Sequence, residues 1–260
     1  MQQDFQHRRV LITGGSAGLG LAAARMMAQR GARVAIAART ADKLQAAADA
    51  LRQETGAEIL PVVCDVAKPD DITRTAHAVQ QAWGGVDVLL NNAGGSSRMP
   101  SLDISDEVWQ RDLDLKLFSA IRLVRLVAHG MKERRWGRIV NVLNTLAKTP
   151  PGGSAPTSVT RAAGMAYTKV LSHELAPFNV LVNAVCIGRI ESEQWPRFHQ
   201  ADAPELSYAD YLAREGRKIP LGRLGKAEEF AALVCLLASD GGGYITGTAI
   251  NIDGGASPAD

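Results

Sequence analysis

The sequence predicts an α/β fold in a single domain over residues 1–260. Its centre is a doubly wound parallel sheet of about seven strands, with helices on both faces. Three observations predict it. Apolar strand-like runs alternate with helix-like runs along the whole chain. The strand-like runs lack the polar alternation of a half-exposed sheet, so both faces must be covered. No stretch rich in Pro, Gly or Ser divides the chain, and 260 residues suffice for one large domain.

The elements follow in order. RRVLITG is an apolar run ending in glycine, and LGLAAARMMAQRGA is a helix with a glycine stop. RVAIAA is a second strand. TADKLQAAADALRQETG is a second helix, with Thr40 or Asp42 expected as its cap. EILPVVCDV is a third strand. PDDITRTAHAVQQAWGG carries proline and two aspartates in its first turn, as the helix dipole favours. VDVLLNNAG, GRIVNVL and NVLVNAV are further strands, separated by long apolar-periodic stretches at about 105–135 and 156–176. TAINID is the last strand. One segment breaks the rhythm, at about 191–218. It holds Trp195, Phe198, His199, Tyr208 and Tyr211 among many charges, and reads as a lid over a ligand crevice.

Composition narrows the function. Hydrophobic residues make up 46% and charged residues 22%, with a net charge of +2. No basic run points to nucleic acid. The polar start MQQDFQHRRV lacks a signal-peptide core, and no apolar run reaches the ~18 residues of a membrane span. Cys64, Cys186 and Cys235 are scattered among apolar residues and read as reduced thiols of a cytoplasmic protein. The five histidines form no ligand spacing, so no metal is expected.

TGGSAGLG, residues 13–20, links the first strand to the first helix. Gly14 permits a tight turn. Gly18 and Gly20 remove side chains where a pyrophosphate would meet backbone N–H groups, with Ser16 and Leu19 completing the loop. At the end of the second strand, an acidic residue would bind the ribose 2′-OH of NAD. Here stand Arg39 and Thr40, which suit the 2′-phosphate of NADP. NADP(H) is therefore expected over NAD(H).

With these motifs, Asp65-Val66, NNAG at 91–94, LVNAV at 181–185 and YITGTAINIDGG at 244–255, the chain resembles the short-chain dehydrogenase/reductase family over essentially its whole length. Within the family it looks like a divergent relative of the 3-oxoacyl-acyl-carrier-protein reductases. The resemblance implies a Rossmann domain, a small-molecule substrate, and a homotetramer or homodimer built partly on the two long helices and the C-terminal strand. It implies that Asp65 and Val66 contact adenine, and that Asn91, Ala93 and Gly94 line the ribose side. Gly188 and Ile190 fall beside the nicotinamide. The family's Pro-Gly turn reads here as Ile187-Gly188, and Ser192 stands where a threonine commonly holds the amide.

The family's reductases use an Asn-Ser-Tyr-Lys tetrad. HELAP at 173–177 and LVNAV set the register. They place Lys116, Asn144, Thr157 and Arg161 at the four positions, all substituted. Thr157 and Arg161 share a helix face, at i and i+4. A threonine hydroxyl has a pKa well above the roughly 10 of tyrosine. Arg161 stays protonated but can still bond a ribose. Asn144 offers an NH₂ to a substrate oxygen. Lys116 is the replacement suited to acid–base chemistry, because burial and a nearby cation would lower its pKa. Tyr167 lies about 15 Å further along the helix and is expected in the core or an interface. Arg98, Asn144 and Trp195 are the expected substrate contacts.

Three readings stand. The first is an NADP(H)-dependent oxidoreductase with an atypical active site and an unknown carbonyl or alcohol substrate. The second is a catalytically inactive NADP(H)-binding sensor or partner subunit. The third is a non-redox enzyme on the same fold.

Overall fold

The computed structural model describes residues 3–192 and 195–259. Its sheet has seven strands in the order β3-β2-β1-β4-β6-β8-β9, every pair parallel. The strands are β1 (Arg9–Thr13), β2 (Arg33–Ala38), β3 (Ile59–Val63), β4 (Val88–Asn91), β6 (Gly137–Asn144), β8 (Val180–Ile187) and β9 (Ala249–Ile252). Two short strands, β5 (Arg98–Met99) and β7 (Ala155–Pro156), pair antiparallel outside the main sheet. The helices are α1 (Gly18–Gln29), α2 (Ala41–Thr55), α3 (Pro69–Trp83), α4 (Asp106–Leu113), α5 (Ser119–Glu133), α6 (Thr157–Leu175), α7 (Trp195–Asp202), α8 (Tyr208–Gly216) and α9 (Ala227–Ala238).

Strand periodicity divides the core in two. Val10, Ile12, Val34 and Ile36 point to the face covered by α1, α2 and α9. Leu11, Ala35, Ala37 and Leu89 point to the face covered by α3, α5 and α6. Successive side chains of a strand alternate in direction, so burying both sets requires the continuous apolar runs seen in the sequence. Pro61 sits in the edge strand β3, where a missing N–H costs least.

Strand order reverses direction at β1, with β2 on one side and β4 on the other. In open α/β sheets the ligand crevice lies outside the carboxyl ends of the strands at such a switch point. The loop 13–20 and the NNAG segment both lie there.

Two local expectations change. Thr40 is the N-cap of α2, but its side chain makes no capping bond, and Asp42 sits inside the first turn. The stretch expected as one helix at 105–135 is α4 and α5 joined by a π-helical turn over Asp114–Phe118. The wide turn falls on Lys116. Among the described residues, no helix is long and apolar enough to cross a membrane.

Candidate active site

The nucleotide half of the crevice is made of backbone. Asn92 Nδ2 donates to the carbonyls of Thr13 (3.0 Å) and Gly14 (3.2 Å). Thr13 Oγ1 accepts from the N–H groups of Asn92 and Ala93, both at 3.0 Å. The NNAG segment thus pins the glycine loop from behind. Gly14 has φ +67°, the tight turn expected. Gly18 also lies in the left-handed region, and a Cβ there would face open space, with Ser192 the nearest neighbour at 4.0 Å. Gly20 differs from expectation. Its Cβ would stand 2.2 Å from the Gly14 carbonyl and 2.6 Å from Asn92 Nδ2. Its absent side chain makes room for the loop itself rather than for a ligand. α1 opens with no side-chain cap and no acidic residue in its first turn. Its free N–H groups and positive dipole end suit a pyrophosphate. Ser16 and Leu19 are half-buried on this loop.

Arg39 and Thr40 are exposed beyond β2, and Arg39 makes no hydrogen bond or ion pair among the described residues. Asp65 shapes its own turn, its Oδ1 accepting from the Ala67 N–H at 3.1 Å. The Val66 side chain packs in the core against α3 and α5, leaving its backbone for a nucleotide. Asn91 starts a buried chain: its Nδ2 donates to Asn141 Oδ1 (2.8 Å), and Asn141 Nδ2 donates to Thr168 Oγ1 (2.9 Å). The Asn91 Oδ1 is buried without a partner. These residues fit a dinucleotide: an open helix N-terminus, a glycine facing empty space, and an unpartnered arginine beyond β2.

The catalytic half is made of side chains. Lys116 is buried and donates to the Asp112 carboxylate and, at 2.7 Å, to Thr157 Oγ1. The other Asp112 oxygen accepts from Thr160 Oγ1 at 2.8 Å. Thr157 Oγ1 donates to the Ser97 carbonyl (2.6 Å) and accepts from the Ser97 N–H (2.9 Å). With Lys116 as its other donor, the hydroxyl has its proton and both lone pairs engaged. Thr157 has no capacity left for a substrate oxygen in this arrangement.

Arg161 donates through Nη1 to the Val142 carbonyl at 2.7 Å, while its Nε is buried without a partner. Gly94 is needed beneath it, since a Cβ there would lie 2.4 Å from Arg161 Nη2. Burial pulls the Arg161 guanidinium down to about 10 against the attraction of Asp112, so it stays charged at neutral pH. Burial also lowers Lys116; the hydrogen bond and charge of Asp112 oppose this, and Arg161 and Arg98 add to it. Lys116, Arg161, Asn91, Asn141 and Tyr167 line one cavity of about 10 Å³, room for about one water. Tyr167 packs on the α3/α5 side, its phenol pushed up to about 12 by burial.

The remaining expected contacts scatter around the mouth. Asn144 ends β6, its Oδ1 buried and unpartnered. Arg98 is exposed on β5 and makes no hydrogen bond among the described residues. Trp195 is 7% exposed, packs with Phe198 and Tyr211, and donates to the Ile190 carbonyl at 2.7 Å. An indole with its N–H satisfied and its ring mostly enclosed anchors the segment it sits in. Ile190 is buried and bridges to Gly225, and the Gly188 N–H donates to the Ile252 carbonyl at 2.9 Å, fixing where the chain leaves β8. Among the described residues, no cluster of His, Cys, Asp or Glu could hold a metal.

Sequence reasoning missed Asp112, Thr160, Asn92 and Thr13. The Asp112–Lys116 spacing of i, i+4 was a readable signal for an ion pair.

Comparison with known proteins places this geometry. The family model described as enoyl-(acyl carrier protein) reductase matches residues 14–257. The 3-oxoacyl-acyl-carrier-protein reductase FabG of Escherichia coli K12 is 32% identical over 97% of this chain and 98% of its own length. L-sorbose reductase from Gluconobacter frateurii, solved with NADPH and L-sorbose, is 31% identical, superposes with a TM-score of 0.94 and covers 100% of both chains. A short-chain oxidoreductase from Pseudomonas aeruginosa PAO1, solved with NADPH and described as containing an atypical catalytic center, is 36% identical. Its TM-score is 0.91, over 98% of this chain and 100% of that one. A match along nearly the entire chain, in sequence and in backbone, means that the chain belongs to the short-chain dehydrogenase/reductase family and resembles its 3-oxoacyl-acyl-carrier-protein reductases.

Proposed function

We propose that the chain is an NADP(H)-dependent oxidoreductase acting on a carbonyl or alcohol group through an atypical active site. The observation that carries this reading is the open N-terminus of α1, uncapped and free of acidic residues, facing empty space at Gly18. Relatives solved with NADPH support it. When bound, the dinucleotide supplies or accepts the hydride.

The chain's own residues then divide the work. Ser16, Gly18, Leu19 and the α1 N-terminus hold the pyrophosphate, and Arg39 with Thr40 hold the 2′-phosphate. Asp65 and the Val66 backbone meet adenine, and Ala93, Gly94 and Arg161 border the ribose. Gly188 and Ile190 shape the wall beside the nicotinamide. Asn144 orients the substrate oxygen through its NH₂. Lys116 uses two of its three N–H donors on Asp112 and Thr157, which leaves one proton, and it lines the same cavity as Arg161. It is the proton source in this reading. Exposed apolar side chains on α5 and α6, Leu126, Val159 and Val170, suit the homodimer or homotetramer.

Calorimetric titration with NADPH and NADH, repeated on Arg39→Ala, tests the cofactor site. NADPH consumption with a panel of carbonyl compounds then tests the chemistry. Absence of binding by either nucleotide at millimolar concentration would overturn the proposal. One observation favours a second reading, a non-catalytic NADP(H)-binding subunit: Thr157, at the tyrosine position, has no free proton. Tight NADPH binding without hydride transfer to any carbonyl would select it.

A further inference from the structure

The loop between β4 and α4 carries Arg98, and its backbone is tied down twice. β5 pairs with β7, with Arg98 opposite Pro156 and Met99 opposite Ala155. One residue earlier, Thr157 Oγ1 grips both backbone polar groups of Ser97, donating to its carbonyl and accepting from its N–H. That hydroxyl is itself held by Lys116, and Lys116 by Asp112, which Thr160 also bonds. The whole chain of bonds is buried: Asp112, Lys116, Thr157 and Thr160 are each 5% exposed or less. A buried ion pair held by further hydrogen bonds on both members resists rearrangement. The loop therefore presents Arg98 from a rigid base.

The electrostatics around that base are one-sided. Arg98 acts on Lys116 through space, as does Arg161, and Asp112 is the carboxylate that opposes them. The two mouth segments, residues 91–100 and 144–157, contain Arg98 and Lys148 and no Asp or Glu. Lys148 is engaged with the Ala249 carbonyl at 2.6 Å. Arg98 is left as an exposed guanidinium without a partner among the described residues, able to take an anion.

We infer that Thr157 is a positioning residue, a latch on Ser97 that holds Arg98 as an anion-binding group, and that the substrate carries a carboxylate beside its carbonyl. This rests on the proposed NADP(H) site for its binding arm and on the oxidoreductase reading for its kinetic arm. A guanidinium takes a carboxylate with two parallel hydrogen bonds, which fixes the orientation of a small molecule as well as its affinity.

Acetoacetate and acetoacetamide share a 3-oxo group and differ in charge, so they serve as probes. Calorimetry on the protein saturated with NADP⁺ should show acetoacetate binding at least about tenfold tighter than the amide. Arg98→Gln should bring that ratio close to one. In turnover with NADPH, the same ratio should appear in KM. Thr157→Val, which keeps shape and loses the hydroxyl, should speed hydrogen exchange of the Ser97 amide and raise KM for acetoacetate. Thr157→Ser should restore both. Equal binding of the two probes, or no binding of either, would overturn the inference. So would a Thr157→Val variant with unchanged Ser97 exchange, or one whose kcat alone collapses. Preferential acetoacetate binding without any NADPH oxidation would support the anion site and sink the oxidoreductase reading.

Discussion

Around the crevice, the half built on β1, β2 and β4 turns its donors outward, and the half built on α4, β6 and α6 turns them on one another. In the first, among the described residues, the α1 N-terminus has no side-chain cap, Gly18 has no close neighbour and Arg39 has no partner. In the second, Asp112, Lys116, Thr157 and Thr160 satisfy each other in a buried cluster. The difference separates two meanings of a polar residue near a ligand site. A donor left open is available to a ligand, whereas donors engaged in a buried network support the shape of the site, and Lys116, with one N–H beyond its two bonds, belongs to both.

The comparison can be broken or sharpened by substitution. The largest effect is expected from Gly20→Ala. Its methyl group would lie 2.2 Å from the Gly14 carbonyl, so loop and helix must part. Loss of nucleotide binding and a stability drop of about 3 kcal/mol should follow, read by calorimetry and urea unfolding. Next come Lys116→Met and Asp112→Asn. Removing one partner of a buried pair leaves the other uncompensated, which should cost about 3 kcal/mol in either variant. A double variant, Asp112→Leu with Lys116→Met, should regain much of that loss, because an apolar pair needs no compensation. Failure to regain it would mean the cluster does more than support shape.

Arg39→Ala should weaken NADPH by about tenfold and leave NADH unchanged, as one charge-assisted contact to a phosphate is removed. At the opposite end of the sheet, Asp87→Asn provides a control on pH. Burial works to raise the Asp87 carboxyl, but the hydrogen bonds and charges of Arg9 and Arg134 outweigh it and hold it below the usual range. The unfolded chain therefore binds the proton more readily. The stability contributed by Asp87 is full above pH about 4 and is lost as pH falls through the lowered value. Asp87→Asn should flatten that acid limb of a stability–pH curve. The smallest effect is expected from Thr40→Ala. Its hydroxyl makes no capping bond, so stability should change by less than about 0.5 kcal/mol in thermal unfolding.

The open half was the legible one. Its strands announce themselves by runs such as RVLIT and VLLN, and its loop by glycines at fixed offsets, all local patterns. The engaged half depends on contacts distant in sequence. Lys116 meets Thr157 across 41 positions, and Asp112 meets Thr160 across 48. No periodicity records such a meeting. Alignment with the tetrad located Lys116 and Thr157 as positions, but not what they bond. The π-helical turn at Asp114–Phe118 was hidden as well: LDLKLF has ordinary helical composition, and nothing in it marks a wider turn. Trp195 was expected at the ligand, and the structure adds that it packs into the interior of its own segment, which spacing does not record.

That interior has a mechanical consequence. Trp195, Ala203, Tyr211, Ile219 and Leu224 form an apolar cluster separate from the two that flank the sheet. Tyr211 is tied to Asp202 at 2.9 Å, and buried Glu215 bridges Arg189, Arg214 and Lys218. A cluster with its own core can persist as a unit when its surroundings loosen. Its attachment to the sheet runs through a few backbone contacts, where Ile190 meets Gly225, Gly188 meets Ile252 and Leu221 meets Gly254. Changes to the aromatic interior would therefore alter how well this segment survives heat, with little effect on the packing of the sheet.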